Sequence, residues 1–566
     1  MRNQKKTIII IIVMIFTTHQ SQAGWVISSG IKVKVPVGKY LKVDGNLKLL
    51  STAKLTNEGL FTLSGNFDNQ GESALGSGTF SFSGSAVQQF TGTAEFGNVS
   101  IGSGSSLEIQ AGAWATINGT LTNMNGTGGL IVKSDQTGSG SLIHNTASVQ
   151  GTVQGYLTSE KWHLVSPPIS DAELASYLDI YLMDWDEPSA TWTYLVDPLT
   201  MPLEKGLGFS AWADDNITGN TTVDFAGTLN SADIVLNLDY TLASSQIGWN
   251  LIGNPFSSSI DWNTNWTMND VGGWAVVYDN GVDRGWNPYL PSGSESYNGK
   301  TDGIIPMTQG FWVRATAAGA AITIPSSERI HGNQAFYKET SEVAVPTLRL
   351  AIEGNNNTDE AVVILMENAT SGFDALYDLE KFSSSDVPKL FSIMGESELS
   401  VNVLPENFSG SSNPSVDMGF EMPKSGQYKI TASGMESFDL ETPIYLEDLK
   451  EGQSIDLRQQ QEYVFASGPL DETNRFILHF SNPLGLSENP DINQIRIYGS
   501  TGFVHISMDE PIKGIAKVFD MLGRETGNIR LDGNNKQYSM PVAGKIIYVV
   551  KVFGENDMWT KKVYVH

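Results

Sequence analysis

The feature that most limits the fold of this 566-residue chain is a run of short apolar segments between residues 24 and 156, each bounded by Gly or Asn. Examples are Gly45–Leu49, Gly59–Phe67 and Gly78–Gly84, where apolar and polar residues alternate. This alternation predicts β-strands joined by turns. Strands this short cannot bury a face alone, so they must stack as a solenoid or a sandwich. We expect a short β-solenoid with Asn corners in the left-handed backbone conformation, serving as a stalk or adhesive surface or as a structural spacer.

Composition extends the β-rich prediction to the whole chain. Its 57 Gly and the lack of long helical periodicity favour an all-β protein full of turns. Acidic residues outnumber basic ones by 62 to 35, which argues against nucleic acid as a partner. The chain has no Cys, so its stability must come from several buried cores rather than from disulfides.

The first residues predict export from the cytoplasm. A basic start precedes an apolar run from Ile8 to Phe16, and small residues follow at Ser21 and Ala23. This order is typical of a secretory signal peptide over residues 1–23, cleaved between Ala23 and Gly24. No later stretch approaches the ~18 apolar residues of a spanning helix, so we expect no transmembrane segment in the mature chain.

Residues 157–335 hold ten of the 13 Trp and contain an apparent internal duplication. Three landmarks recur in the same order: 161–169 matches 248–256, 181–192 matches 276–286, and 202–212 matches 306–313. We therefore predict two copies of one β unit that face each other as a β-sandwich. Each copy begins with a strand that ends at Pro, as suits a strand end or sheet edge.

Some of these Trp residues are candidates for binding extracellular glycans. Aromatic faces beside carboxylates can stack on sugar rings and bind their hydroxyls, and we predict that these groups lie on loops. The alternative is that they pack in the core, as we expect for Trp162, Trp249 and Trp312. The same carboxylates could hold Ca²⁺, although neither stretch has the spacing of a calcium loop; otherwise no cofactor or metal is expected. The candidate residues are Trp185 with Asp184 and Asp186, and Trp286 with Asp279 and Asp283.

Two further segments follow the Trp-rich region. Residues 340–481 alternate in several strands around a predicted hairpin tip at Asn355–Asn357, which indicates a second β-sandwich. Residues 482–491 contain Pro483, Gly485 and Pro490 and read as a linker.

The last segment, residues 492–566, has two strand-like pieces. One is Val518–Arg524, which ends in a turn, and the other runs from Gly544 to Val552 and is followed by Thr560–Val565. In this order they resemble the type A-like C-terminal sorting domain of cargo of the type IX secretion system, although Gly499-Ser500 stand where that family has Pro-Asn-Pro. The alternative is a β domain with no sorting role. The residues that match the sorting-domain motif are Asp520, Gly523, Arg524, Gly544, Tyr548, Lys561 and Lys562.

The resemblance implies a small β-sandwich that takes the protein across the outer membrane. Gly248–Phe256 with Gln309–Val313 also resembles a region often found in such cargo. The secretion machinery of the outer membrane would then be a partner, and the protein would be secreted or displayed on the cell surface by way of the periplasm.

No motif for catalysis is found. The chain lacks a zincin motif, a nucleophile elbow, a phosphate loop and a dinucleotide fingerprint, and its seven His are scattered. We therefore predict a secreted or cell-surface, non-catalytic adhesin or structural protein. The alternative is a carbohydrate-binding protein or a carbohydrate-active enzyme, because a catalytic carboxylate pair has no sequence signature.

Overall fold

The fold is known from a computed structural model that describes most of the chain. The described residues are 24–279, 282–290, 293–296, 303–332, 345–382, 387–410, 414–481, 495–500, 502–508, 511–520, 523–542, 547–554 and 558–565. Within them the secondary structure is β-strand with five short 3-10 turns and no α-helix, so the all-β prediction is confirmed. The predicted signal peptide, residues 1–23, and the predicted linker, residues 482–491, lie outside the described residues, which begin at Gly24.

The chain forms two compact units, which are described separately. The first holds the chain up to residue 406 together with residues 419–438 and 464–474. The second holds residues 407–418, 439–463 and 475 onward.

The first part of the chain is a parallel β-solenoid, as the repeated strands predict. Its strands are β1 (Trp25–Ile27), β2 (Lys32–Val35), β3 (Tyr40–Val43), β4 (Leu47–Leu49), β5 (Lys54–Asn57), β6 (Leu60–Leu63), β7 (Phe67–Asn69), β8 (Thr79–Phe82), β9 (Val87–Phe96), β10 (Asn98–Ile101), β11 (Ser106–Ile109), β12 (Trp114–Ile117), β13 (Leu121–Asn123), β14 (Leu130–Val132), β15 (Ser134–Asp135), β16 (Gly138–Ser139), β17 (Ser141–His144) and β18 (Gln150–Leu157).

Apart from β15 and β16, which pair antiparallel with each other, the solenoid strands pair in parallel with strands of neighbouring coils. One face has the order β1-β4-β7-β9-β11-β14-β18, and a second has the order β3-β6-β8-β10-β13. Three short pairings complete the coils: β2 with β5, β12 with β9, and β12 with β17. Successive side chains of each strand point to opposite faces of its sheet. The apolar side chains of one set therefore fill the centre of the solenoid, and the side chains of the other set face outward.

Phenylalanine rings fill the centre of the solenoid. The Phe80 ring centroid lies 4.7 Å from that of Phe61, 5.3 Å from that of Phe67 and 5.3 Å from that of Phe96. All four side chains are buried. Phe61 and Phe80 are register partners on adjacent strands, and parallel strands in register stack residues about 4.8 Å apart. Phe67 and Phe96 come from strands on other faces of the solenoid, so their rings meet that of Phe80 across the centre.

The solenoid corners use Asn and Gly differently from our prediction. The Asn57 and Asn69 side chains are buried and donate to backbone carbonyls of the next coil, at Thr79 (2.8 Å) and Thr93 (2.6 Å). No solenoid Asn among the described residues has positive φ, so the prediction of left-handed corners was wrong. Gly is needed where coils approach closely, since a Cβ on Gly78 would lie 2.4 Å from the Gly59 carbonyl oxygen.

The Trp-rich region contains two sheets with the same strand order. Its strands are β19 (Trp162–Val165), β20 (Tyr181–Asp186), β21 (Thr191–Tyr194), β22 (Phe209–Trp212), β23 (Thr221–Thr228), β24 (Ile234–Asn237), β25 (Trp249–Gly253), β26 (Ser259–Asp261), β27 (Thr267–Asn269), β28 (Ala275–Asp279), β29 (Val282–Leu290), β30 (Gly293–Ser296), β31 (Ile304–Ile305), β32 (Gly310–Arg314), β33 (Ala321–Ile324) and β34 (Arg329–Ile330). The orders are β19-β22-β20-β21 and β25-β32-β28-β29-β30.

The two sheets follow the sequence landmarks of the apparent duplication. In each sheet the strand of the third landmark lies between those of the first and second. Backbone bridges join the copies at equivalent places, from Val165 to Gln309 and from Leu207 to Ile252. This reciprocal contact is what two related units arranged about a local axis would make.

The solenoid and the Trp-rich region share a core. Strand β23 pairs antiparallel with the last solenoid strand, β18, over their whole lengths. The hydrophobic cluster that begins at Ile27 continues through Phe209 and Phe225 to Met307. It therefore runs across the predicted boundary near residue 157.

The remaining strands of the chain form the third segment and the C-terminal segment. They are β35 (Thr347–Gly354), β36 (Asn357–Met366), β37 (Leu379–Glu380), β38 (Lys389–Met394), β39 (Ser397–Pro405), β40 (Ser415–Glu421), β41 (Gly426–Ser433), β42 (Tyr445–Asp448), β43 (Gln453–Asp456), β44 (Glu462–Ser467), β45 (Asn474–His479), β46 (Ile495–Ser500), β47 (Phe503–Met508), β48 (Lys513–Phe519), β49 (Glu525–Asp532), β50 (Gln537–Pro541), β51 (Ile547–Phe553) and β52 (Met558–Tyr564).

In the first unit β35 pairs with β36 and β41, and β39 pairs with β36, β37 and β38. The tip of the β35–β36 hairpin has Asn355 and Asn356 with positive φ, where we predicted a turn. In the second unit β42 pairs with β43 and β45.

The C-terminal segment is built from two small sheets with a common core. The sheets have the orders β46-β47-β50 and β49-β48-β51-β52. The buried residues of this core all lie between Ile497 and Val565, and they include Val518, Tyr548 and Val550. A segment that fills its own core fits a small independent β domain.

Candidate functional site

Trp185, predicted to lie on a glycan-binding loop, lies instead on strand β20. Its ring packs against those of Trp192 (5.3 Å between centroids) and Trp312 (5.3 Å). Its indole N–H donates to the Trp249 carbonyl oxygen at 2.8 Å. The loop prediction was wrong for this residue, because apolar neighbours from both copies, together with Phe382, draw the ring into an aromatic cluster.

The two carboxylates beside Trp185 serve the local backbone. Burial raises the pKa of Asp184, although its carboxylate accepts from the Trp185 backbone N–H at 3.0 Å. Asp186 is exposed and accepts from the Ser189 N–H at 3.1 Å and from the Ser189 hydroxyl. Both carboxylates therefore have partners within their own hairpin.

The second predicted group falls on the β28–β29 hairpin. Asp279 pairs with Val282, Asp283 with Tyr278, and Trp286 with Ala275. The side chains of Asp279, Asp283 and Trp286 lie outside the described part of the structure, so glycan contact by this group stays a prediction. Among the described residues no group of three or more His, Asp or Glu side chains could hold a metal ion.

A polar junction at His331 and Arg329 joins the solenoid to the Trp-rich region. His331 stacks on Trp114 at 4.5 Å, and its two ring nitrogens lie 2.7 Å from the Thr116 hydroxyl and 2.8 Å from the Ser141 hydroxyl. Arg329 donates to the His144 carbonyl oxygen at 2.7 Å. These contacts cap the last solenoid coil.

Acid is expected to weaken this junction. Burial lowers the pKa of His331 to about 4, and burial with the nearby Arg329 charge lowers the pKa of His144 to about 4. In the unfolded chain both histidines become protonated below the ordinary histidine pKa of about 6.5. In the folded chain they stay neutral until the pH falls to about 4. Stability should therefore fall as the pH drops from 6.5 to 4, by about 1–3 kcal/mol per histidine.

Thermal unfolding measured from pH 7 to pH 4 checks this prediction. The double variant His144→Leu/His331→Gln should lose less stability over this range than the original chain, while carboxylate protonation affects both chains alike. Equal losses in the two proteins would contradict the prediction.

The described residues of the sorting-domain motif lie in the hairpin between β48 and β49 and on the last two strands. Arg524 donates through Nε to the Asp520 carboxylate at 2.7 Å, and the Asp520 carboxylate also accepts from the Arg524 backbone N–H at 3.0 Å. Gly523 supplies the positive φ of +78° that this turn needs. Tyr548 is buried on β51, and Lys561 is exposed on β52. Gly544 and the Lys562 side chain lie outside the described residues.

The outward face of the sheet β3-β6-β8-β10-β13 is a surface that sequence reasoning missed. Register places Thr62, Ser81, Ser100 and Thr122 in one row across four adjacent strands, with Lys42 at its start. Their side chains are half-exposed, and no described residue hydrogen-bonds their hydroxyls. We call this row the hydroxyl row; its hydroxyls repeat about every 4.8 Å, the spacing of adjacent strands.

The hydroxyl row has a sequence signal that is visible only once the coils are aligned. Its members recur about every twenty residues, each two positions after the first residue of its strand, except Thr122 in the shorter strand β13. A parallel row on the same face begins with Tyr40 and Leu60, which are 63% and 39% exposed. The face therefore combines unpaired hydroxyls with one exposed aromatic ring.

The fold and this face define a class: a modular, all-β protein built on a parallel β-solenoid with an uncovered polar face. Residues 83–480 match the family described as "Domain of unknown function (DUF8693)", and the chain belongs to this family. No helix among the described residues has the length and apolar character needed to cross a membrane.

Similarity to known proteins is distant. The chain is 23% identical over 436 residues to the minor fimbrium subunit Mfa5 of Porphyromonas gingivalis, a match that covers 68% of this chain. It spans only 35% of the length of that relative. A solved structure titled "Biofilm associated protein - BSP domain" aligns over 75% of this chain and 96% of its own, with 8% identity and a TM-score of 0.12, a value too low to indicate a shared fold.

Proposed function

We propose that this protein is a non-catalytic, cell-surface adhesin whose solenoid binds extended extracellular polysaccharide. The observation that carries the proposal is the hydroxyl row formed by Thr62, Ser81, Ser100 and Thr122 on an open, regular sheet face. The distant similarity to a fimbrium subunit supports a role at the cell surface.

The chemistry of the face suits a polymer of sugars. Each hydroxyl can both donate and accept hydrogen bonds, as sugar hydroxyls do. Each member of the row can therefore pair with a donor or with an acceptor on a ligand. A regular repeat favours a ligand that is itself regular and extended. Tyr40, at the edge of the face, offers a ring on which a sugar can stack.

Binding of the whole mature chain to insoluble polysaccharides and to a glycan array tests the proposal. The variant Ser81→Arg/Ser100→Arg places two long charged side chains in the middle of the row, and we expect at least about tenfold weaker binding. A tenfold change corresponds to about 1.4 kcal/mol, which lies within the about 1–3 kcal/mol that the loss of two hydrogen bonds to the ligand would cost. The matched control is Thr56→Arg/Gln89→Arg, which makes the same charge change on other outward faces of the solenoid.

Several results would contradict the proposal. One is that the original chain binds no polysaccharide. Another is that the row variant and the control variant bind equally well. If Trp286→Ala abolishes binding while the row variant does not, the sequence-predicted hairpin is the glycan site instead. Turnover of a bound polysaccharide would overturn the non-catalytic assignment in favour of a carbohydrate-active enzyme.

We also infer that residues 492–566 direct export through a type IX-like secretion system. The motif resemblance, with the Asp520–Arg524 turn and the self-contained core of the segment, supports this inference. The secretion machinery of the outer membrane would then be a partner of the chain during export.

A further inference from the structure

The two ends of the solenoid differ in how they are covered. The near end is formed by the first coil, β1 to β3, and the far end by the last strands, β17 and β18. At the far end β18 pairs with β23, the Leu142 N–H donates to the Ser257 carbonyl oxygen at 2.7 Å, and Arg329 binds the His144 carbonyl. At the near end no described residue pairs with the outer side of β1, β2 or β3. Each of these strands forms a ladder only with the next coil.

An uncovered coil presents backbone groups that another strand can pair with. Half of the N–H and C=O groups of an edge strand point away from its sheet, and solenoids need caps for this reason. The near end also exposes apolar side chains: Val26 is 51% exposed, Ile31 48% and Val37 75%. Free backbone groups beside exposed apolar side chains are what strand addition requires.

The charge of the near end selects the kind of strand. Residues 24–46 contain Lys32, Lys34, Lys39 and Lys42 but only one acidic residue, Asp44, whereas the whole chain has a net charge of −27. Lys34 pairs with Glu58 and Lys42 with Asp44, while neither Lys32 nor Lys39 has an ion-pair partner among the described residues. A second copy that docked its own near end against this one would bring the two sets of lysines together, which is unfavourable.

We propose that the first solenoid coil is a docking edge for an extended acidic peptide segment, which adds as a β-strand beside β1, β2 or β3. Its backbone pairs with the open ladder, its apolar side chains cover Val26, Ile31 or Val37, and its carboxylates meet Lys32 and Lys39. This function is separate from sugar binding on the hydroxyl row, whose Ser81 and Ser100 lie two and three coils further along.

The experiment uses the whole mature chain and a labelled octapeptide of alternating Val and Glu, with binding measured by fluorescence anisotropy. We expect saturable binding that weakens as salt rises, and none by the matching Val–Lys peptide. A Val–Glu peptide N-methylated at alternate residues keeps its charge but cannot form the ladder, so it should not bind. Its binding as well as the parent peptide would overturn strand addition.

A charge-reversal variant tests the location of the docking edge. Lys32→Glu/Lys39→Glu should weaken binding of the Val–Glu peptide at least about tenfold. The matched control Lys161→Glu/Lys205→Glu changes the same net charge at exposed positions outside the solenoid and should bind as the original chain does. Equal affinities for the two variants would overturn the proposal. So would a concentration-dependent dimer of the original chain that Lys32→Glu/Lys39→Glu abolishes, because the occupant would then be a second copy.

Discussion

Replacing Phe80 with Ala is expected to lower the free energy of unfolding of the solenoid by about 3–5 kcal/mol. Phe80 is 1% exposed, and its ring contacts those of Phe61, Phe67, Phe82 and Phe96 at centroid distances of 4.7 to 5.3 Å. The backbone of neighbouring coils is held by parallel ladders on both sides, so the cavity should collapse only in part. Both the lost transfer energy and the cavity then add to the cost.

Scanning calorimetry of the whole mature chain measures this loss. The transition that reports the solenoid should move down on the order of 10 °C, because 1 kcal/mol shifts a domain of this size by about 2–4 °C. The matched control is Val37→Ala, in the same repeat array but 75% exposed, which should change stability by less than about 0.5 kcal/mol. Equal shifts for the two variants would show that the ring stack is not the centre of the fold.

The solenoid could be predicted because its local signals agree. Every coil repeats the same alternation and places Gly at its close approaches, so one register buries all the Phe residues at once. The role of Asn at the corners was predicted wrongly. The side chains of Asn57 and Asn69 donate hydrogen bonds to the next coil, and these bonds can be predicted only when the neighbouring coils are known.

Contacts between distant segments could not be predicted from local pattern. The sequence marked 157–335 as a new region, yet β23 completes the solenoid sheet and Trp185 closes an aromatic cluster with Trp312 and Phe382. Alternation shows that a side chain has a buried face but not which strand covers it. For the same reason the glycan prediction placed Trp185 on a loop.

The hydroxyl row shows the same limit at the candidate site. Thr and Ser are common on outward strand faces, so Thr62 or Ser100 alone carries no functional signal. Their meaning comes from register, which puts four hydroxyls in one line across the sheet. Register follows from which strands pair, and that depends on the whole solenoid.

The second large effect expected is the loss of surface display when residues 492–566 are deleted. The core of this segment is drawn only from residues between Ile497 and Val565, so its removal should leave the other cores intact. If these residues are the export signal, the truncated chain should be folded but confined to the periplasm. Fractionation in its own host, with protease accessibility at the cell surface, makes the measurement.

A pair of substitutions on β51 tests whether surface display requires this segment to be folded or only to be present. Val550 is buried in the core, whereas Ile547 on the same strand is 44% exposed. Val550→Asp buries an unpaired carboxylate, which should unfold the segment and abolish display as the deletion does. Ile547→Asp makes the same chemical change at the surface and should be displayed normally. Display of the truncated chain or of Val550→Asp would mean that the segment is a β domain without a sorting role, and that export depends on another part of the chain.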